Sequence, residues 1–277
     1  MTSVLALLTA ALVGVAPPGF SLIAVGPAGG TVWQGVVPGR YAPPDRLPSL
    51  LYLPPDASPR RRYRVAILLH GFRGSPYAFV DSLGLASLAD RLISERRVAP
   101  FVAVLPRGGP AGYRGEWAGP LERFVVDDLV PWIDRTLPVR RDRAAWMIGG
   151  LSAGGYGAVD IGLRHPRLFG TLESWSGYYH PFRDGPLRSA TRAELAAHDP
   201  TILVEREAPL LRSLGTRFFV SCGVTHDLGN AAFALAFAAH LSVLRLPHLL
   251  WLRPGAHDGK FWRAQLPEAL LYGLSGR

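Results

Sequence analysis

Short apolar runs recur along the chain, each closed by glycine, proline or a polar residue. They alternate with longer stretches whose apolar positions fall at helical spacing. The short runs at 31–37, 50–53, 64–70, 98–105, 144–150, 170–175, 217–222 and 249–252 predict strands, most of them apolar throughout and so buried on both faces. Between them, residues 77–95 place Phe79, Leu83, Leu85, Leu88 and Leu92 on one helical stripe. Residues 121–137 turn Phe124, Leu129 and Trp132 inward and leave Asp127 and Asp128 on a solvated face. Residues 153–164 form a third helix that stops before Pro166. The run 230–244 is so apolar that it predicts a buried helix, and 261–273 closes the chain as another. Strands alternating with helices predict an α/β fold, a mostly parallel central sheet with helices on both faces. Only residues 180–214 break the pattern, into polar and proline-containing pieces that predict a small cap region at about 178–215.

The amino-terminal segment has a different character. Residues 1–39 carry no charged side chain, and 4–16 is apolar apart from Thr9. This run is too short for a membrane-spanning helix and suits the core of a secretory signal, with Gly14-Val15-Ala16 offering small residues for cleavage. Against a signal stand the absence of Lys or Arg before the run and the proline at position 17. One tilted span over 4–25, a longer natural amino terminus and a buried helix are the other readings. The expectation is export or anchoring: 1–25 a signal or membrane-anchor segment, 26–47 a Gly/Pro-rich connector, and 48–277 the folded domain, placed outside the cytoplasm.

Charge alters this picture little. The net charge is +9, and all but one of the 30 basic residues are arginine, with Lys260 the exception. The arginines are scattered rather than set in a stripe with interleaved aromatics, so nucleic acid is excluded as a partner. The single cysteine, Cys222, rules out an intrachain disulfide and reads as a small buried hydrophobe. No metal-ligand spacing is present.

The chemistry sits at the ends of the predicted strands. Gly150-Leu151-Ser152-Ala153-Gly154 is a G-x-S-x-G match between a strand and a helix. On such a sharp turn the serine hydroxyl stands above the sheet edge, beside the free N–H groups of a helix start. Another strand ends in His70-Gly71-Phe72-Arg73-Gly74, a loop suited to supplying a backbone N–H, that of Phe72, for an oxyanion. His70 is read as ordering that loop. A serine nucleophile needs a base to take its proton and a carboxylate to fix the base. His257, after the last strand, is read as the base and Asp227, after the preceding one, as the acid. His226 is the rival base; Asp258 and Asp199 are rival acids. Trp117 and Tyr178 are candidate substrate-binding residues, and Tyr113 a further candidate for the cleft wall. No cofactor is required, because nucleophile, base and oxyanion donors are all protein groups.

Taken together, several pieces resemble the Putative esterase family of α/β-hydrolases. That family includes formylglutathione hydrolases, tributyrin-type and enterochelin esterases and actinobacterial mycolyltransferases. The pieces are Leu51-Tyr52-Leu53-Pro54-Pro55, Leu68-Leu69-His70-Gly71-Phe72, Gly150 to Ala158, His165-Pro166, Phe169-Gly170, Ser176-Gly177, Gly223 with Asp227, and Pro254 to Asp258 with Trp262. The resemblance covers about residues 48–275 and implies an α/β-hydrolase fold. It also implies a serine esterase or acyltransferase with Ser152, Asp227 and His257 as triad, and Phe72 and Ala153 as oxyanion donors. Ala153 stands where many relatives carry methionine. The expected partner is a small-molecule or lipid ester, with membrane association through the amino-terminal segment. Acyl transfer to an envelope lipid or sugar is the alternative activity, and a non-catalytic envelope binding protein the alternative of another class.

Overall fold

The computed structural model describes residues 15–44, 47–109 and 117–275. Most of the apolar run at 4–16, and Tyr113, lie outside the described residues. Nine strands form one sheet: β1 Ser21–Val25, β2 Thr31–Gly35, β3 Ser49–Leu53, β4 Arg64–Leu69, β5 Phe101–Leu105, β6 Trp146–Leu151, β7 Thr171–Trp175, β8 Arg217–Gly223 and β9 His248–Arg253. Their order is β1-β2-β3-β5-β4-β6-β7-β8-β9. The strands from β5 to β9 in that order run parallel, and β1, β2 and β3 extend the sheet in antiparallel pairing. The central strands β4 and β6 are apolar on both faces because helices cover both.

On one face lie α1 Leu85–Ser94 and the closing helix α7 Gly259–Gly273. On the other lie α2, α3 Ala153–Arg164, α5 Pro200–Ser213 and α6 Leu228–Val243. Here α2 denotes the abutting helical segments Pro120–Arg123, Phe124–Leu129 and Val130–Thr136. Tyr179 stacks on Phe237 of α6 at 4.0 Å and 9°, a ring pair worth about 0.5–1.5 kcal/mol beyond its buried area. Helix α4 Arg192–Ala196 starts with a reciprocal cap between Thr191 and Glu194 and has no fully buried residue, its Leu195 packing against the small cluster of Ala118, Leu187 and Ala190.

Four expectations need correcting. Residues 21–25 form a strand that pairs with the expected one, found at 31–35, so the folded unit begins well before residue 48. The segment between β1 and β2 is tied down by buried Asp90, which accepts the N–H groups of Ala28 and Gly30 and the Tyr52 hydroxyl. The cap is shorter than 178–215: residues 200–213 form α5, whose Leu203, Val204, Ala208 and Leu211 pack into the sheet-covering core. Pro200 and Pro209 and the run Glu205-Arg206-Glu207 mask its periodicity in the sequence, although a proline at a helix start costs nothing. Helix α6 is buried on one side only; Leu228, Leu235 and Val243 are exposed at 67%, 50% and 80%. Asp128 is not merely solvated, since it accepts the N–H groups of Arg40 and Tyr41 and so anchors the chain before β3 to α2. Among the described residues no helix is long and apolar enough to cross a membrane.

Candidate active site

Ser152 follows β6 directly and precedes α3 at φ 55° and ψ −121°, a strained left-handed position for a residue with a side chain. Neighbouring glycines make the turn possible. A Cβ at Gly150 would lie 2.5 Å from the carbonyl oxygens of Leu69 and Gly154, and one at Gly154 would run into the Leu69 carbonyl. The serine N–H donates to the Trp175 carbonyl at 2.8 Å, which locks the turn to β7.

The loop after β4 lies directly against this turn. A Cβ at Gly71 would stand 3.2 Å from the Cβ of Ser152. Phe72 follows, 45% exposed, and its backbone N–H has no acceptor among the described residues. The Ala153 N–H is the first of α3 and has no intrahelical partner. These two free donors flank the serine.

His70 holds the loop from beneath. Its Nδ1 pairs with the Gly71 carbonyl at 2.9 Å and its Nε2 accepts the Gly108 N–H at 3.0 Å, which fixes the proton on Nδ1. Burial, with the Arg107 charge adding to it, depresses its pKa to about 4. Trp117 donates its indole N–H to the His70 carbonyl and packs its ring against the imidazole edge. At 2% exposure Trp117 is core beneath the loop rather than a substrate contact, which corrects the expectation for that residue. Tyr178 is half-buried, stacked on Tyr156 at 5.1 Å and set edge-on to the exposed Phe182 at 4.6 Å.

His257 reaches Ser152 from the other side. Its Nε2 lies 2.9 Å from the serine Oγ, and its Nδ1 lies 3.0 Å from Asp227 Oδ2. Asp227 is buried at the start of α6, yet its side chain caps no helix N–H and faces the histidine instead. Trp262 sets the edge of the imidazole at 5.0 Å. The loops carrying Asp227 and His257 are joined by backbone: the N–H groups of Thr225 and His226 both donate to the Gly255 carbonyl. The rival residues are engaged elsewhere. His226 is exposed; Asp258 caps α7 through the Phe261 N–H; Asp199 caps α5 and pairs with His180.

Two contacts at Asp227 escaped the sequence reading. Asn230 donates its amide to Asp227 Oδ1 at 2.8 Å, and the D-x-x-N spacing at a helix start was the available signal. Cys222, the last core position of β8, lies 3.2 Å from Asp227 Oδ2. Burial and the neighbouring carboxylate push its thiol up to about 12, so it stays an S–H donor to the oxygen that also faces His257. Asp227 thus meets three partners, Asn230, Cys222 and His257, which hold its carboxyl in one orientation. Among the described residues no group of acidic, histidine and cysteine side chains could hold a metal ion.

A family model described as Putative esterase matches residues 42–272. An endo-1,4-beta-xylanase/feruloyl esterase of Xylanibacter ruminicola is 28% identical over 123 residues, 43% of this chain and 17% of that protein. An esterase of Mycobacterium tuberculosis is 30% identical over 125 residues, 42% of this chain and 26% of that protein. The matched part is thus well under half of each of these curated relatives. Among solved structures, a ferulic acid esterase superposes with a TM-score of 0.75 at 19% identity, covering 88% of this chain and 98% of its own. An S-formylglutathione hydrolase from Agrobacterium tumefaciens gives 0.70 at 17%, covering 93% and 100%. At such identities the likeness is one of fold, and the fold is that of the α/β-hydrolase esterases.

Proposed function

The chain belongs to the Putative esterase family, and from that premise we propose that it hydrolyses carboxylic esters through an acyl-enzyme on Ser152. The observation that carries this reading is the unbroken line Ser152 Oγ, His257 Nε2, His257 Nδ1, Asp227 Oδ2, with steps of 2.9 and 3.0 Å. In this reading His257 takes the serine proton as Oγ attacks the ester carbonyl. The carbonyl oxygen becomes an oxyanion between the N–H groups of Phe72 and Ala153. Asp227, held by Asn230 and Cys222, keeps the imidazole in the tautomer with Nε2 free and stabilises the imidazolium. The same proton then goes to the leaving alkoxide. Water repeats the sequence on the acyl-serine and releases the acid. Tyr178 and Phe182 form the aromatic wall against which the substrate rests. Acyl transfer would use the same intermediate with an alcohol in place of water, and no observation favours it. We keep export or anchoring as the reading of the first residues.

Hydrolysis of p-nitrophenyl butyrate by the full chain, beside Ser152→Ala, tests the proposal. The expected outcome is turnover by the parent and a loss of roughly a thousandfold or more in the variant with its thermal unfolding unchanged. A parent that neither turns over ester nor labels at Ser152 with a fluorophosphonate would sink it.

A further inference from the structure

Beside the oxyanion loop lies a cavity of about 400 Å³ that the mechanism does not use. Its walls include Arg73, Ser75, Tyr77, Asp81, Ser82 and Arg107. Arg73 directly follows the proposed oxyanion donor Phe72 and takes a left-handed backbone at φ 56°. It is exposed and forms no ion pair among the described residues.

Arg107 is the unusual member. It sits just beyond β5 and is 6% exposed. Its Nε donates to the Gly109 carbonyl at 2.8 Å and its backbone N–H to Ser49 Oγ at 3.0 Å. Its two terminal nitrogens have no partner, and no carboxylate lies within ion-pair distance of the guanidinium, among the described residues. A buried charge with no counter-charge among the described residues is a cost in free energy that a bound anion would offset. A guanidinium fork open toward a cavity matches the two oxygens of a carboxylate or the edge of a phosphate.

The surroundings keep the same sign. A second hollow shares Asp81 and Ser82 with the first and adds Lys260 and Arg263. Arg263 donates to the Ser82 carbonyl at 2.7 Å, tying α7 to this wall. Among the described residues Asp81 is the one carboxylate lining either hollow, against four cations, so their local field is positive.

We propose that the cavity between Arg73 and Arg107 recognises an anionic group, a carboxylate or a phosphate, carried by the ester substrate. The role in substrate choice rests on the esterase reading; the binding of the anion does not. The site therefore favours esters with a free acid group over neutral ones of the same length.

Two measurements on the full chain test this, in the parent, Arg73→Gln and Arg107→Gln. The first is thermal unfolding with tens of millimolar glutarate or, separately, inorganic phosphate, against chloride at equal ionic strength. The midpoint of the parent rises with at least one anion, and the rise is lost in the variants. Which anion acts tells carboxylate from phosphate. No rise with either, or an equal rise in parent and variants, overturns the site. The second is the ratio of kcat/KM for p-nitrophenyl hemiglutarate to that for p-nitrophenyl valerate. It falls at least tenfold in each variant, through KM. A lost thermal shift with an unchanged ratio overturns the link to substrate. A parent that turns over neither ester but shows the arginine-dependent shift defeats the esterase reading and leaves the anion site standing. A parent that hydrolyses the neutral ester with no such shift does the reverse. Arg73→Gln, at an exposed position, decides the matter should Arg107→Gln fail to fold.

Discussion

His70 and His257 both follow the carboxyl ends of parallel strands, β4 and β9, on the same rim of the sheet. The first has both ring nitrogens taken by backbone and is 5% exposed. The second spans two side chains, a hydroxyl and a carboxylate, and its side chain is 35% exposed. A histidine whose partners are fixed peptide groups can hold a shape but has nowhere to send a proton. One that links a hydroxyl to an ionised acid can move a proton and gain charge without losing its partners. Residue type and strand-end position are the same in both; the chemistry of the neighbours separates a histidine that holds a loop from one suited to the proposed proton transfer.

The largest effect expected from this contrast is at His257. His257→Gln loses about a thousandfold or more in kcat/KM on a neutral ester, with an unfolding midpoint close to the parent's. A variant that kept a tenth of the activity would break the comparison. Asp227→Asn comes next, with a loss of about a hundred- to ten-thousandfold, because an amide can stabilise the wrong tautomer and no imidazolium. The loss falls on kcat more than on KM, as steady-state kinetics would show.

At His70 the balance reverses. His70→Ala strands the Gly108 N–H and the Gly71 carbonyl in a buried site, which costs about 1–3 kcal/mol each in denaturant unfolding. Activity drops far less than at His257, through displacement of the Phe72 donor.

The pH dependence of stability sharpens the same point. The folded pKa of His70, near 4, lies below its ordinary value of 6.5, so the unfolded chain binds the proton first as pH falls. Its contribution is complete above pH 6.5 and is lost progressively down to about 4, to a total of about 3 kcal/mol. Unfolding free energies of parent and His70→Gln should converge across that window, and parallel curves would contradict the assignment.

The smallest effect is at Cys222. Cys222→Ala removes one of the donors on Asp227 and lowers kcat by a few-fold, while Cys222→Ser, which keeps a donor, stays closer to the parent.

Much of this could be read in advance, for a physical reason. Buried parallel strands must be apolar throughout, and a strained strand-to-helix turn must have glycines, so both write themselves into local sequence. Ser152 and the strand ends bearing Asp227 and His257 were legible in that way. What stayed hidden depends on long-range contact. Arg107 looks like any loop arginine until β3 and β5 bury it, and Trp117 looks like a cleft aromatic until it is found beneath His70. Helix α6 looked buried because all its faces are apolar, and only the structure tells which face the sheet takes.

The strands at the amino-terminal edge bear on how the protein is best produced. A shortened form starting near residue 40, natural if the earlier residues were a dispensable leader, would strip β1 and β2 from β3. That bares the backbone edge of Ser-Leu-Leu-Tyr-Leu, an apolar strand of the kind that recruits other chains, and leaves Asp90 without two of its donors. Such material would collect in the pellet during expression. A cut after Ala16 would keep the whole sheet, so soluble yield from the two starting points is itself a readout of where the folded protein begins.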